Sequence, residues 1–238
     1  MGDLLNRALE AHGGLDRWRR FTDVEATISV TGAVWSLKRK LEAFDAVSVS
    51  AAIQDPCLIL RPFPAPDRLG FFEPRCVTIE TLEERVLFRR QNPATAFVGH
   101  ARDTPWDPCH AVYVLGVTLW TCLTTPFLYA YPGFESEEIS PCEENGEEWR
   151  RLAVRFPSDM PAHAQQQIAC FGPDGLLRRY DSTWDVLGAT PVADYASDYD
   201  DVAGIMLAKT RRIFDASAGG PVTGLPLMTI DIADTALC

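Results

Sequence analysis

The strongest constraint on this chain lies in residues 149–214, where apolar and polar side chains alternate between turn residues. In WRRLAVRF, Leu152, Val154 and Phe156 fall on one face, while Arg151, Ala153 and Arg155 fall on the other. AQQQIACF follows, then the turn GPDG, then LLRRYDSTWDVL, the turn GATP, and VADYASDYDDVAGIMLAKTRRIF. A period of two bounded by Gly, Pro and Asp is that of antiparallel strands with one buried face.

The same period recurs towards the N-terminus, where Val24, Ala26, Ile28 and Val30 alternate with polar positions. Gly32 turns the chain, and AVWSLKRKLEAF is expected to run back as a strand with Trp35, Leu37 and Leu41 on one face. Segments 44–53 and 57–60 extend the meander, and shorter strands are expected at 69–72, 77–81 and 84–90. RPFPAPD is too rich in proline for a central strand and reads as an edge or rim loop. LMTIDI reads as a closing strand.

Helical periodicity appears in two places. Leu4, Leu5, Ala8, Leu9 and His12 share a face that ends at the C-cap pair Gly13-Gly14. LDRWRRF adds a short turn, so N-terminal helices are expected over 1–22. The second place is TPWDPCHAVYVLGVTLWTCLTTPF, read as a central helix over 104–127. Thr104 would be its N-cap, Pro105 its first residue, and Asp107 an acid in the first turn. From Cys109 to Ala130 there is no Asp, Glu, Lys or Arg. That length approaches a membrane span. Pro126 interrupts it, Gly116 and several threonines dilute it, and no basic flank follows. A helix buried inside or across a curved sheet is expected, with no stable membrane insertion. Glu135, Glu137, Glu138, Glu143, Glu144, Glu147 and Glu148 read as a solvated loop.

At 238 residues, 47% hydrophobic and 23% charged, the chain reads as one soluble domain, 1–238. A net charge of −11 argues against nucleic acid or an anionic membrane surface, since both need a basic footprint. The N-terminal MGDLLNRALEAHGG lacks the basic region and apolar core of a secretory signal, so a cytoplasmic location is expected. Seven cysteines, scattered and without a CxxC pair, form neither a disulfide framework nor a zinc site. The expected fold class is mainly β (α+β). It is a curved antiparallel sheet forming an incomplete β-barrel, closed by an N-terminal helix and a central helix.

This arrangement resembles the lipoprotein-carrier fold of the LolA/LolB type. The resemblance rests on the N-terminal helix ending HGGLDRWRRF, the meander after it, and the helical insertion before the second half of the sheet. WDPCHAVYVLGVTLWTCLTTPF, GEEWRRLAVRFP, FGPDGLLRRYDSTWDVLG and KTRRIF also look like a group of uncharacterised bacterial proteins with this pattern. The resemblance implies a half-barrel wrapped round a hydrophobic cavity, with helices as a lid. True carriers also have a lipobox cysteine, which this sequence lacks, so it is the cavity that carries over.

The standard catalytic motifs GxSxG, P-loop, GxGxxG and HExxH are missing. Of the four histidines, His110 lies one turn from Trp106 and Asp107 and shares a helical face with Tyr113, Val114 and Val117. Asp107, three residues earlier, is within reach of its imidazole. On a cavity wall His110 is suited to acid/base work near neutral pH; the alternative is a core histidine satisfied by Asp107 or a carbonyl. His163 is expected at the rim or surface. Asp194, Asp198, Asp200 and Asp201 lack the glycine and terminal Glu of a Ca²⁺ loop and read as a solvated strand face or turn, so no metal is expected. Arg179, Asp181 and Thr183 share one strand face and Tyr180, Ser182 and Trp184 the other, and the pattern does not say which points inward. Arg39, among Trp35, Leu37 and Leu41, would pair with an inward acid such as Asp181, anchor a ligand oxygen, or snorkel to the rim.

Two functions compete, beside a third possibility of a purely structural or interaction module, which would have a filled barrel with no cavity of ligand size. One is a carrier or sensor that holds a hydrophobic small molecule or lipid in the cavity, without a cofactor. Its candidate ligand-binding residues are Trp35, Trp106, Trp120, Asp181, Trp184 and Tyr195. The other is a cofactor-free enzyme catalysing isomerisation, cyclisation or dehydration on an apolar substrate. There His110 would be acid or base, oriented by Asp107, with Tyr113 or Arg39 polarising an oxygen.

Overall fold

The computed structural model describes residues 2–38, 44–217 and 224–238. The chain opens with α1 (Asp3–Ala11) and the one-turn α2 (Leu15–Trp18), followed by β1 (Asp23–Thr31) and the short α3 (Ala33–Leu37). A first meander comprises β2 (Phe44–Ala52), β3 (Leu58–Arg61), β4 (Arg68–Glu73), β5 (Cys76–Thr81) and β6 (Val86–Gln91). After α4 (Pro108–Thr124) a second meander begins with β7 (Glu135–Glu144), β8 (Glu147–Arg155) and β9 (Gln166–Phe171). It continues through β10 (Leu177–Trp184), β11 (Thr190–Val202) and β12 (Ile205–Asp215), and β13 (Met228–Leu237) ends the chain.

All thirteen strands belong to one antiparallel sheet, ordered β6-β5-β4-β3-β2-β1-β13-β12-β11-β10-β9-β8-β7. The two meanders run outward from a shared seam. At that seam β13 pairs with β1 through Val30↔Ile230 and with β12 through Arg211↔Ile230. LMTIDI is therefore a strand, but it sits in the middle of the sheet. The outermost strands β6 and β7 do not pair with each other, which leaves the barrel incomplete.

The apolar face of the sheet closes on α4. A helix without a polar face must be surrounded, and Cys109 to Thr124 are all buried. The approach to the sheet is close: a Cβ at Gly116 would stand 2.1 Å from Cγ of Phe72. The Trp120 indole donates to the Ala52 carbonyl at 2.8 Å. Trp18 stacks on Phe127 at 4.4 Å and donates to the Tyr131 hydroxyl, which in turn donates to the Ile53 carbonyl.

Four local expectations are corrected. Ala33–Leu37 is helical where a strand was expected, because the Ala33 and Val34 amides donate to the carbonyls of Pro226 and Leu227 instead of entering a ladder. Arg39 and Leu41 lie outside the described residues. α4 starts at Pro108, with Asp107 as N-cap, and the Thr104 hydroxyl instead accepts from the Ala101 amide. It stops at Thr124 because Thr125, which precedes Pro126, is extended. The glutamate-rich stretch is no loop: it is the β7–β8 hairpin, turned at Asn145 and Gly146, both with positive φ. The glutamates of β7, from Glu135 to Glu144, lie on an edge strand, where they oppose pairing with another chain.

Candidate functional site

Strand β10 shows which face points where. Tyr180, Ser182 and Trp184 are buried against the core, while Arg179, Asp181 and Thr183 are only partly buried on the opposite face. On that opposite face the second meander encloses an open groove of about 1000 Å³. Across its floor one row runs in register, Glu137↔Ala153, Ala153↔Ile168, Ile168↔Asp181 and Asp181↔Ala193. Thr183, Pro191 and Ala216 add further small side chains to the lining, and Glu135, Arg155 and Gln166 close the side away from Arg179. Small residues on one patch of a twisted sheet leave a trough that longer neighbours wall in.

Arg179 organises one end of the trough. It donates to Asp181 at 2.9 Å and to Glu144, which also accepts from the Tyr195 hydroxyl. The guanidinium carbon lies 5.9 Å from the Trp149 ring and 5.7 Å from that of Tyr195. Burial opposes the Arg179 charge, but Asp181 outweighs it and holds the guanidinium above its ordinary pKa. Burial raises the Asp181 carboxyl against the pull of Arg179. Burial and the bond to Glu144 push Tyr195 up to about 12.

The residues expected to contact ligand therefore separate. Asp181 lines the groove, and Tyr195 supports its arginine. Trp35, Trp106, Trp120 and Trp184 are at most 3% exposed and belong to the core on the other face. Asp181 takes Arg179 as its partner, two residues away on the same strand.

His110 and Asp107 do meet, as a capping box. Asp107 Oδ1 accepts from the His110 amide at 3.0 Å, and His110 Nδ1 accepts from the Asp107 amide at 3.1 Å. Arg90 binds both carboxylate oxygens of Asp107, at 3.2 and 2.6 Å. Nδ1 also lies 3.0 Å from Asp107 Oδ1. Because Nδ1 is already an acceptor and burial lowers the pKa of the ring, that contact is not an ion pair. The ring packs on Phe97 at 4.8 Å and His100 at 5.1 Å. Burial pushes nearby Tyr113 up to about 12. None of the three borders the groove.

Two buried features differ from the sequence reading. His163 is 4% exposed, stacks on Trp184 at 4.2 Å and meets the Thr118 hydroxyl at 2.8 Å, so it is a core residue and not a rim one. Asp194 is fully buried rather than solvated. It accepts from Arg211 at 3.0 and 2.8 Å, beneath the Tyr180 ring. The signal was present: Asp194 alternates with Val192 and Ala196, and Arg211 with Leu207 and Ile213, so each charge stands on an apolar face. Among the described residues, no group of three His, Cys, Asp or Glu side chains is placed to hold a metal ion. Nor is any helix among them long and apolar enough to cross a membrane.

An open thirteen-stranded sheet curled round an inserted helix has solved counterparts. A LolA superfamily protein from Nitrosomonas europaea is similar over 99% of this chain and 92% of its own, with TM-score 0.53 and 11% identity. The fold is LolA-like. A DUF1329 family protein from Desulfovibrio piger gives TM-score 0.53 and 10% identity over 99% of this chain and 94% of that one. A domain from Vibrio parahaemolyticus, assigned to outer membrane lipoprotein sorting, gives TM-score 0.54 and 11% identity over 95% and 93%. No protein-family model matches the sequence, and a search of curated proteins finds no match. The LolA-like half-barrel expected from the sequence is the architecture observed.

Proposed function

We propose that this chain binds an amphiphilic small molecule or lipid, as a carrier or sensor, in the groove on the outer face of β7–β11. One observation carries this reading: a depression of about 1000 Å³ floored by Ala153, Ile168 and Ala193, with charged residues at its ends. That is the size and mixed lining of a small-molecule site. The sequence reading put the cavity on the helix side, but α4 fills that side. A decyl chain in this open groove would gain at most roughly 8 kcal/mol, at about 0.8 per fully buried CH₂, before the costs of association. The solved domain assigned to lipoprotein sorting is consistent with a lipid-bearing partner.

Filling the floor tests the proposal. Ala153→Phe should abolish binding of a dansyl-labelled dodecyl chain, while the circular dichroism spectrum and melting temperature stay as in the parent. Unchanged binding would sink the assignment.

A second reading keeps His110 as an acid or base, because its Nε2 has no hydrogen-bond partner among the described residues. In a substrate screen it requires that His110→Ala abolish turnover and leave groove binding intact. Equal loss of binding and folding counts against it.

A further inference from the structure

The charges around the groove are unequal, and their arrangement selects a head group. Glu135, Glu137 and Asp181 line it against Arg155 and Arg179, and Glu144 stands behind Arg179. Four carboxylates thus face these two guanidiniums and that of Arg151, which acts on Asp181 from the Arg179 end, leaving one negative charge. All three guanidiniums are already engaged: Arg155 lies 3.6 Å from Glu135, Arg179 is held between Asp181 and Glu144, and Arg151 donates to the Ser140 carbonyl at 2.6 Å. Glu137 has no ion-pair partner among the described residues, and it opens the floor row that ends at Ala193. The chain as a whole carries −11, so no distant excess of positive charge offsets the local one. An anion entering the trough would have to strip Arg179 of a carboxylate. A cation would need no rearrangement at Glu137, whereas Asp181 is already held by Arg179.

On this basis we propose that the groove takes a cationic amphiphile, an amine carried on an apolar chain or ring, with its ammonium group at Glu137 and its apolar part across Ala153 and Ile168. The inference rests on the groove reading above and adds the head group to it. Its chemistry is recognition alone, with no bond made or broken. The apolar floor supplies most of the affinity, and Glu137 discriminates among molecules of equal apolar size.

The test is calorimetric titration with decylamine, decanol and decanoate, each below its micelle concentration. Decylamine should bind up to about fivefold tighter than decanol at low salt, the scale of one exposed charge contact. Decanoate should bind weakest. Added salt should narrow the gap. Glu137→Gln, an exposed change that leaves every described ion pair in place, should lower decylamine affinity and spare decanol. Decanoate binding as well as decylamine, with both lost in Ala153→Phe, would overturn the head-group inference and leave the groove standing. Absence of binding by all three, or binding that Ala153→Phe does not alter, would overturn the groove itself.

Discussion

Removing Asp194 strands a charge inside the core. Its carboxylate is fully buried, and Arg211, itself 2% exposed, has no other carboxylate within salt-bridge distance among the described residues. Cys122 on α4 also lies 3.8 Å from Asp194 Oδ2, so the pair ties the helix to β11 and β12. Asp194→Ala leaves a guanidinium stranded in apolar surroundings, which costs about 3–5 kcal/mol. For a domain of this length each kcal/mol moves the melting temperature by roughly 2–4 °C, so a fall of roughly 6–20 °C is expected. The partner change Arg211→Met should cost a similar amount. The double variant Asp194→Leu/Arg211→Met should recover most of the loss, because removing both charges removes the desolvation penalty along with the attraction. Thermal and urea unfolding followed by circular dichroism provide the assay. Single-variant losses below about 1 kcal/mol, or a double-variant loss equal to the sum of the singles, would refute this reasoning.

Three other perturbations follow from the same packing. Gly116→Ala gains about 1 kcal/mol of helix propensity but places a Cβ against Phe72, and overpacking of 1–3 kcal/mol should win; urea midpoints should fall, and Phe72→Leu should relieve the loss. Asp107→Ala removes both the N-cap of α4 and the partner of Arg90, for about 1–2 kcal/mol, and Asp107→Asn should cost less because the cap is retained. Stability should decline with acid: burial holds His12 down at about 4 and His163 at about 3, whereas the unfolded chain protonates both near 6.5. The unfolded state therefore binds more protons below pH 6.5, and each histidine withdraws about 3 kcal/mol by pH 4. Urea midpoints compared between pH 7 and pH 4 check this, and a flat profile would contradict it.

The architecture was legible because it depends on period. Val24 to Val30 and Leu152 to Phe156 alternate, and the uncharged run after Cys109 could only be placed inside something. The errors arose where local chemistry overrode the pattern. Ala33–Leu37 found carbonyl partners near β13 and coiled. The glutamates of β7 obscured an Asn-Gly hairpin whose turn signal was present at Asn145-Gly146. The candidate site was harder to read, because a sequence lists both faces of a strand without saying which one a helix covers. Arg179 and Asp181 were placed together correctly, but only the position of α4 shows that they face away from the core. His110 and Asp107 were rightly paired by their spacing, yet the same spacing serves a helix cap as well as a catalytic dyad.

The most direct test of the groove is methyl NMR during a decylamine titration of the intact protein. Saturable shifts should centre on Ala153, Ile168 and Ala193, with the methyls of Val114, Leu119 and Leu123 in α4 unmoved. Shifts that begin in α4, with the β8–β11 face silent, would place the ligand on the helix side and contradict the account.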